Sequence, residues 1–146
     1  MSAVDAFEDA LLDLLFNNTA LANVGDGTGL PATAAPGSTQ LSLHTVALSD
    51  TDTLLTANEA TYTGYARQTQ ARSGAGWTST GGTASNAALI QFGENTVGSN
   101  TLVHCGIGLI ATGDILRIHA DLGADLSCTV GVNPQFAIGA LDITLD

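Results

Sequence analysis

Residues 102–121, LVHCGIGLIATGDILRIHAD, decide the fold. Apolar residues alternate with small or polar ones on both sides of a turn at 111–114: Val103, Cys105, Ile107 and Leu109 before it, and Leu116, Ile118, Ala120 and Leu122 after it. A β-hairpin with Ile110 opposite Ile115 sets each apolar residue of the first run against one of the second. Because a slip of one residue would break this match, the pattern predicts an antiparallel pair of specified register with one buried face.

Short apolar or alternating runs lie on both sides of this hairpin. They cover residues 41–48, 65–70, 87–92, 126–132 and 141–145, with turn-forming residues between them. Short strands at this spacing are typical of a sandwich or a jelly roll. We therefore predict an all-β protein: one antiparallel, jelly-roll-like β-sandwich domain over residues 1–146, without an internal repeat.

One helix is predicted, over residues 2–16. Its apolar stripe has helical spacing: Val4, Phe7, Leu11, Leu14 and Leu15. Ser2 can cap its start, and Asn17 and Asn18 can end it. A helix of this length is marginal alone, so we expect the stripe to dock on its own sheet or on a neighbouring subunit.

Residues 22–39 are rich in Gly, Ala, Thr and Pro and show almost no periodicity. They predict a long extended arm or loop. Connections of this length without structure are usually functional or disordered. The first candidate for what holds the arm is a partner subunit.

Composition narrows the classes of partner. The chain has no lysine, three arginines, 14 acidic residues and a formal net charge of −11. Nucleic-acid binding needs clustered cations, and an anionic membrane surface attracts them, so neither partner is expected. Only 12% of residues are charged, which suits either an ordinary acidic surface or one buried in an assembly. We expect Arg67 and Arg72 to pair with carboxylates, within the subunit or across an interface.

The sequence favours no catalytic, cofactor or metal site. In the hairpin register His104 and His119 would lie on the outward face, with Asp121 opposite His104. This could be a weak metal site without an evident fourth ligand, or a set of exposed polar residues. No nucleophile-elbow pattern is present, and no acid, base and nucleophile converge, so we expect no enzyme activity.

Two further residue types leave alternatives open. Trp77, in a Gly/Ser/Thr-rich loop, either covers the open end of the core, the favoured interpretation, or binds glycan at the surface. Cys105 and Cys128 both fall on the inward phase of their strands. They are interpreted as two buried small hydrophobes, although a disulfide is an alternative.

Five short motifs follow one another along the chain. They are GYARQ at 64–68, ASNAALIQF at 84–92, VHCGIG at 103–108, GDIL at 113–116 and GALDITL at 139–145. This order resembles a family of small tailed-bacteriophage virion structural proteins, whose members are described as tail fibre, head decoration or structural proteins. Two departures are the long arm at 22–39 and Cys105, where relatives often have an aromatic residue. The resemblance implies a non-enzymatic β-sandwich that is an oligomeric part of the particle.

From the residues and the resemblance together we predict a capsid decoration, or cement, protein without a cofactor. It would be made in the host cytoplasm and would lie on the capsid surface of the virion as a homo-oligomer, with a trimer expected, bridging subunits of the major capsid protein. The alternative is a tail fibre or tail-tip protein that contacts host surface glycan. The candidate interface residues lie on the helix, on the arm and at two arginines: Phe7, Leu11, Leu30, Pro31, Pro36, Arg67 and Arg72.

Overall fold

The computed structural model describes residues 3–25 and 29–145. Within these ranges the chain is antiparallel β structure with one short helix, α1 (Asp5–Phe16). The strands are β1 (Ser38–His44), β2 (Gln68–Ala71), β3 (Trp77–Thr80), β4 (Thr83–Asn86), β5 (Ile90–Gln91), β6 (Asn100–Gly108), β7 (Ile118–Cys128), β8 (Gln135–Phe136) and β9 (Asp142–Thr144). The predicted all-β class with an N-terminal helix is confirmed. Among the described residues, no helix combines the length and the apolar character that a membrane span needs.

The chain forms two compact units, each built from segments far apart in sequence. The first takes the described residues of 1–38, 70–89 and 136–146, and the second takes 39–69 and 90–135. The sequence predicts one domain over residues 1–146. Because the chain passes between the units several times, no single cut along it would separate them.

A four-stranded sheet in the order β2-β1-β6-β7 dominates the second unit. β6 and β7 pair in the predicted register, with His104 opposite Asp121 and Ile107 opposite Ile118. The turn differs from the prediction, because Ile115 forms an antiparallel bridge with Leu54 instead of pairing with Ile110. The hairpin is therefore wider at its closed end than the alternation predicts.

A bulge interrupts the same pair of strands. Leu102 lies opposite Leu126 and His104 opposite Asp121, so four residues of β7 (122–125) face one residue of β6. Gly123 has a φ of +76°, and its N–H donates to Asp121 Oδ1 at 2.6 Å. Bulges of this kind bend an edge strand and disturb its pairing pattern.

The prediction of one buried face is wrong for the centre of the sheet. β6 is buried at every residue from 104 to 108, so both of its faces are covered there. His104, expected to point outward, is buried because the Leu48 segment lies over it, and the Leu48 N–H donates to His104 Nδ1 at 3.2 Å. β7 lies at the sheet edge and is exposed along most of its length, including Ala120.

The first unit packs α1 against the three-stranded sheet β3-β4-β9. The helix buries Leu12 and Phe16, and the Phe16 ring lies 4.7 Å from that of Trp77. The Asp9 carboxylate accepts the N–H groups of Gly81 and Gly82, at 3.2 and 2.6 Å, in the turn between β3 and β4. The contact between Phe16 and Trp77 and the hydrogen bonds of Asp9 therefore hold the helix on its sheet.

The predicted helix boundaries and stripe need correction. α1 begins at Asp5 with Val4 as its N-cap, and Ser2 lies outside the described residues. Its end at Phe16 agrees with the prediction, because Asn17 is the C-cap and Asn18 adopts a φ of +55°. The buried face is formed by Leu12 and Phe16, one helical turn apart, and not by the predicted stripe.

The two cysteines are free buried thiols, so the alternative of a disulfide is wrong and the interpretation as buried hydrophobes is confirmed. Cys105 lies opposite Ala120, and Cys128 lies opposite Asn100 at the other end of the same strand pair. Burial raises the pKa of the Cys105 thiol to about 11, so it stays protonated and unreactive near neutral pH.

Candidate functional site

The helix presents part of its predicted interface to solvent. Phe7 is exposed and Leu11 is half-buried, while Leu12 occupies the core side of α1. Val4 and Phe7 form an exposed apolar ridge next to Asp5 and Glu8. A contact through this ridge stays a prediction, and its surroundings are acidic.

The described part of the arm makes hydrogen bonds within its own unit, and its contact with a partner subunit stays a prediction. Asn18 pairs with the main chain of Thr33: Nδ2 donates to the Thr33 carbonyl and Oδ1 accepts the Thr33 N–H, both at 2.9 Å. Leu21 and Leu30 exchange both main-chain hydrogen bonds, at 2.9 and 2.7 Å. The described part of the arm is thus a closed loop that leaves Leu30 and Pro31 exposed.

Within its own unit Arg72 donates to main-chain carbonyls at the end of the helix, and its expected pairing with a carboxylate across an interface stays a prediction. Its Nε donates to the Leu15 carbonyl at 2.6 Å, and its Nη2 donates to the Leu14 carbonyl at 2.7 Å. These carbonyls belong to the last turn, where helical partners are lacking and the dipole favours a cation. Nη1 donates to the Pro36 carbonyl at 3.1 Å, so Arg72 also ties down the end of the arm, where the Pro36 ring is exposed.

Arg67 pairs with carboxylates inside its own unit, one of the two predicted alternatives. Nε and Nη2 donate to the two Glu59 oxygens, each at 2.7 Å, in a bidentate pair. Nη1 donates to Asp114 Oδ1 at 2.8 Å, to Gln40 Oε1 at 3.1 Å and to the Gly113 carbonyl at 3.1 Å. These bonds engage all three guanidinium nitrogens, so Arg67 has little capacity left for another subunit.

The structure does not assemble the metal site considered from the sequence. His104 Nε2 lies 3.4 Å from Asp121 Oδ2, and His119 Nε2 lies 3.4 Å from Asp50 Oδ1. The two imidazole rings stack 6.0 Å apart. Across residues 3–25 and 29–145, no three His, Cys, Asp or Glu side chains are placed to hold one ion.

A small open pocket lies beside this pair of histidines. Its volume is about 260 Å³, and its lining residues are Asp50, Asp52, Thr53, Leu116, Arg117 and His119. The Ser49 N–H and hydroxyl, which both donate to the Asp52 carboxylate, lower the pKa of Asp52. His104 and Asp121 do not line this pocket, so the candidate metal ligands do not meet in it.

A serine–histidine pair in the second unit was not predicted from the sequence. His44 Nδ1 contacts the Ala57 carbonyl at 2.7 Å and so carries its proton, which leaves Nε2 to accept from the Ser42 hydroxyl at 2.7 Å. The i, i+2 spacing on β1 was the available signal, since it puts both side chains on one face. Both residues are fully buried, so the pair is a core hydrogen-bond network without access for a substrate. Burial lowers the pKa of His44.

Trp77 covers the core, which confirms the favoured interpretation and excludes the surface glycan platform. It is fully buried and packs on Phe16. Tyr62 is buried too, and its hydroxyl donates to the Gly93 carbonyl at 3.0 Å. A glycan-binding surface therefore could not use Trp77 or Tyr62.

The candidate interface residues are divided between the two units, and their role in an interface stays a prediction. Phe7, Leu11, Leu30, Pro31, Pro36 and Arg72 all belong to the first unit, and Arg67 belongs to the second. Sequence reasoning missed a group of exposed apolar residues in the second unit: Leu54, Ile110 and Ile115. The alternation predicted that Ile110 and Ile115 face each other across a hairpin, and gave no sign that Leu54 would join Ile115.

Comparison with known proteins identifies the family. A family model described as "Podophage GP4 fiber I protein gp80" matches residues 2–144. No curated protein sequence matches the chain. Because the family match spans nearly the whole chain, the chain belongs to the gp80 family of podophage fibre I proteins and is a phage virion structural protein.

Proposed function

We propose that this member of the gp80 family is a non-enzymatic structural subunit of a podophage tail fibre. The observation that carries the proposal is the family match over residues 2–144, because the description of the family names a fibre protein. The match covers both compact units. The proposal therefore assigns the fibre role to the whole chain and not to one part of it.

The side-chain chemistry of the described residues supports a role in contacts over one in catalysis. Two of the three arginines are used inside their own units, Arg67 on Glu59 and Asp114, and Arg72 on main-chain carbonyls. The Ser42–His44 pair is buried. The exposed surface instead carries many large apolar side chains, which suits a protein that assembles with others.

The family description favours the fibre over capsid decoration, the function that we predicted first. The two functions imply the same fold and composition but differ in location and number of copies. A decoration protein would cover the capsid lattice, whereas a fibre protein would lie at the tail. Binding of host glycan by the fibre is a finer hypothesis, for which Trp77 gives no support because it is buried.

Immunogold electron microscopy of purified virions, with antibodies against the full chain, tests the proposal. We expect label at the tail, together with a copy number far below that of the major capsid protein in quantitative mass spectrometry of the same particles. Label spread over the head, with a copy number near that of the capsid protein, would show decoration instead. Antibodies against the major capsid protein are the matched control for labelling of the head.

A further inference from the structure

The three histidines of the chain lie on one face of the four-stranded sheet. His44 is directly opposite His104 across β1 and β6, and His119 on β7 is opposite Gly106, two residues along from His104. Residues that are directly opposite, or two apart on one strand, share a face of a sheet. Since histidine is the side chain that ordinarily changes charge between about pH 5 and 8, this face is where the protein responds to mild acid.

The Leu48 segment, residues 46–52, covers His104 on this face. Leu48 is buried, whereas most of the segment is exposed. Its side chain packs with Leu55 and Leu116, and its N–H donates to His104 Nδ1 at 3.2 Å. The middle of the segment is therefore held on the sheet by an apolar contact and by a hydrogen bond to a titratable ring.

The bond from Leu48 requires His104 to be neutral. A ring nitrogen that accepts a hydrogen bond carries no proton, so the His104 proton lies on Nε2, which is 3.4 Å from Asp121 Oδ2. A second proton would have to bind at Nδ1. Because both nitrogens of an imidazolium are donors, this proton would break the Leu48 bond and set two N–H groups against each other.

The charged groups on the neighbouring strands act on this second proton in opposite directions. Asp121 on β7 attracts it, whereas His119, whose ring stacks 6.0 Å from that of His104, repels it once His119 is itself protonated. His44 on β1 acts in the same direction as His119. Glu59, the bridge partner of His44, is already held in its own ion pair.

The charged groups of the Leu48 segment give it little further hold in acid. Asp50 lies 3.4 Å from His119, but its side chain is fully exposed, so the attraction is that of a weak surface pair. Asp52 accepts hydrogen bonds from Ser49 within the segment itself. Arg117 lines the open pocket with both carboxylates and is a cation throughout this pH range.

We propose that His104 is a pH-sensitive latch for the Leu48 segment. Near neutral pH the imidazole accepts the Leu48 N–H, and the segment covers the histidine face of the sheet. In mild acid the same nitrogen becomes a donor, and two buried N–H groups are left without acceptors, which favours an open segment whose N–H groups bond to water. The opening is local, because the main-chain bonds between β1 and β6 do not involve the histidine side chains.

Amide hydrogen exchange of the isotope-labelled full chain, followed by NMR from about pH 7.5 to about pH 5.5, tests the proposal. We expect the protection factor of the Leu48 amide, corrected for the intrinsic exchange rate at each pH, to fall at least about tenfold in acid, because this buried N–H loses its acceptor. The amides of the β1–β6 ladder should keep their protection. Imidazole nitrogen shifts near neutral pH should show His104 protonated at Nε2.

His104→Asn is the test variant, because its Oδ1 can accept the Leu48 N–H in place of Nδ1 and does not titrate in this range. Its Leu48 protection should not depend on pH. His119→Asn is the matched control, since it removes a histidine from the same face without touching the Leu48 bond, and it should keep the fall.

Four results on the unmodified chain and the variants would each overturn the proposal. They are a His104 proton on Nδ1 near neutral pH, a Leu48 protection factor that is constant or falls only together with those of the ladder, the same fall in His104→Asn, and loss of the fall in His119→Asn. The first two need no variant, so the proposal stays testable even if His104→Asn does not fold. None of these results depends on where the protein lies in the virion.

Discussion

Replacing Arg67 by alanine should cost about 3 kcal/mol of unfolding free energy, a large share of the roughly 5–15 kcal/mol that stabilises a typical domain. The side chains of Arg67 and Glu59 are only 15% and 17% exposed, so the loss should be close to that for a buried ion pair and not to that for a surface one. Without Arg67 the Glu59 carboxylate keeps a hydrogen bond from the Tyr65 hydroxyl at 2.8 Å but loses its cation. The bond to Asp114 adds little, because that side chain is 53% exposed.

Urea unfolding followed by far-UV circular dichroism measures this loss. Arg117→Ala is the matched control, because Arg117 is exposed in the same unit and its removal should change stability by no more than about 0.5 kcal/mol. Arg67→Met combined with Glu59→Gln should recover part of the loss, since no buried charge is then left unpaired. If Arg67→Ala costs no more than Arg117→Ala, the argument from the buried ion pair is refuted.

Three further predictions concern the buried His44, the core glycine Gly106 and the Asn18 contact of the arm. Burial lowers the pKa of His44 in the folded chain, so below the ordinary histidine pKa of 6.5 the unfolded chain binds more protons than the folded one. The melting temperature should therefore fall as pH drops from about 7 to 5. An equally steep fall in His44→Gln would show that His44 is not the cause. Gly106→Ala should destabilise by about 1–3 kcal/mol, because its Cβ would lie 2.8 Å from His44 Nε2 in a filled core. Gly74→Ala should change stability by less than about 0.5 kcal/mol because that Cβ meets open space, and similar urea midpoints for the two glycine variants would contradict the packing argument. Asn18→Ala should open the arm by removing its pairing with Thr33, which faster limited proteolysis within residues 22–37 would reveal and an unchanged cleavage rate would contradict.

The register of the central hairpin could be predicted because it depends on local alternation alone. His104 lies opposite Asp121 as the alternation requires. The burial of His104 could not be predicted, since it depends on the Leu48 segment, which is 56 residues away along the chain. Likewise, the pattern for α1 contains two apolar stripes, and only the packing against β3 and β4 decides that Leu12 and Phe16 are the covered one.

The side-chain contacts of Arg67 and Arg72 could also be predicted only in part from the sequence. An acidic chain with three cations predicts that Arg67 pairs with carboxylates, and it does. Its partners could not be named, because Asp114 is 47 residues distant and becomes a neighbour only through the sheet. For Arg72 composition gave no sign of the main-chain carbonyls that it contacts, since helix ends also attract cations and nothing in the local sequence shows which helix end is near.

The division of the chain into two units has a spectroscopic consequence. Trp77, the single tryptophan of the sequence, belongs to the first unit, and the two tyrosines, Tyr62 and Tyr65, belong to the second. Tryptophan emission and tyrosine ellipticity therefore report on different parts of the native protein without any added label. Superimposable unfolding curves from the two chromophores would mean that the units melt as one cooperative body, and separated curves would give each unit its own stability.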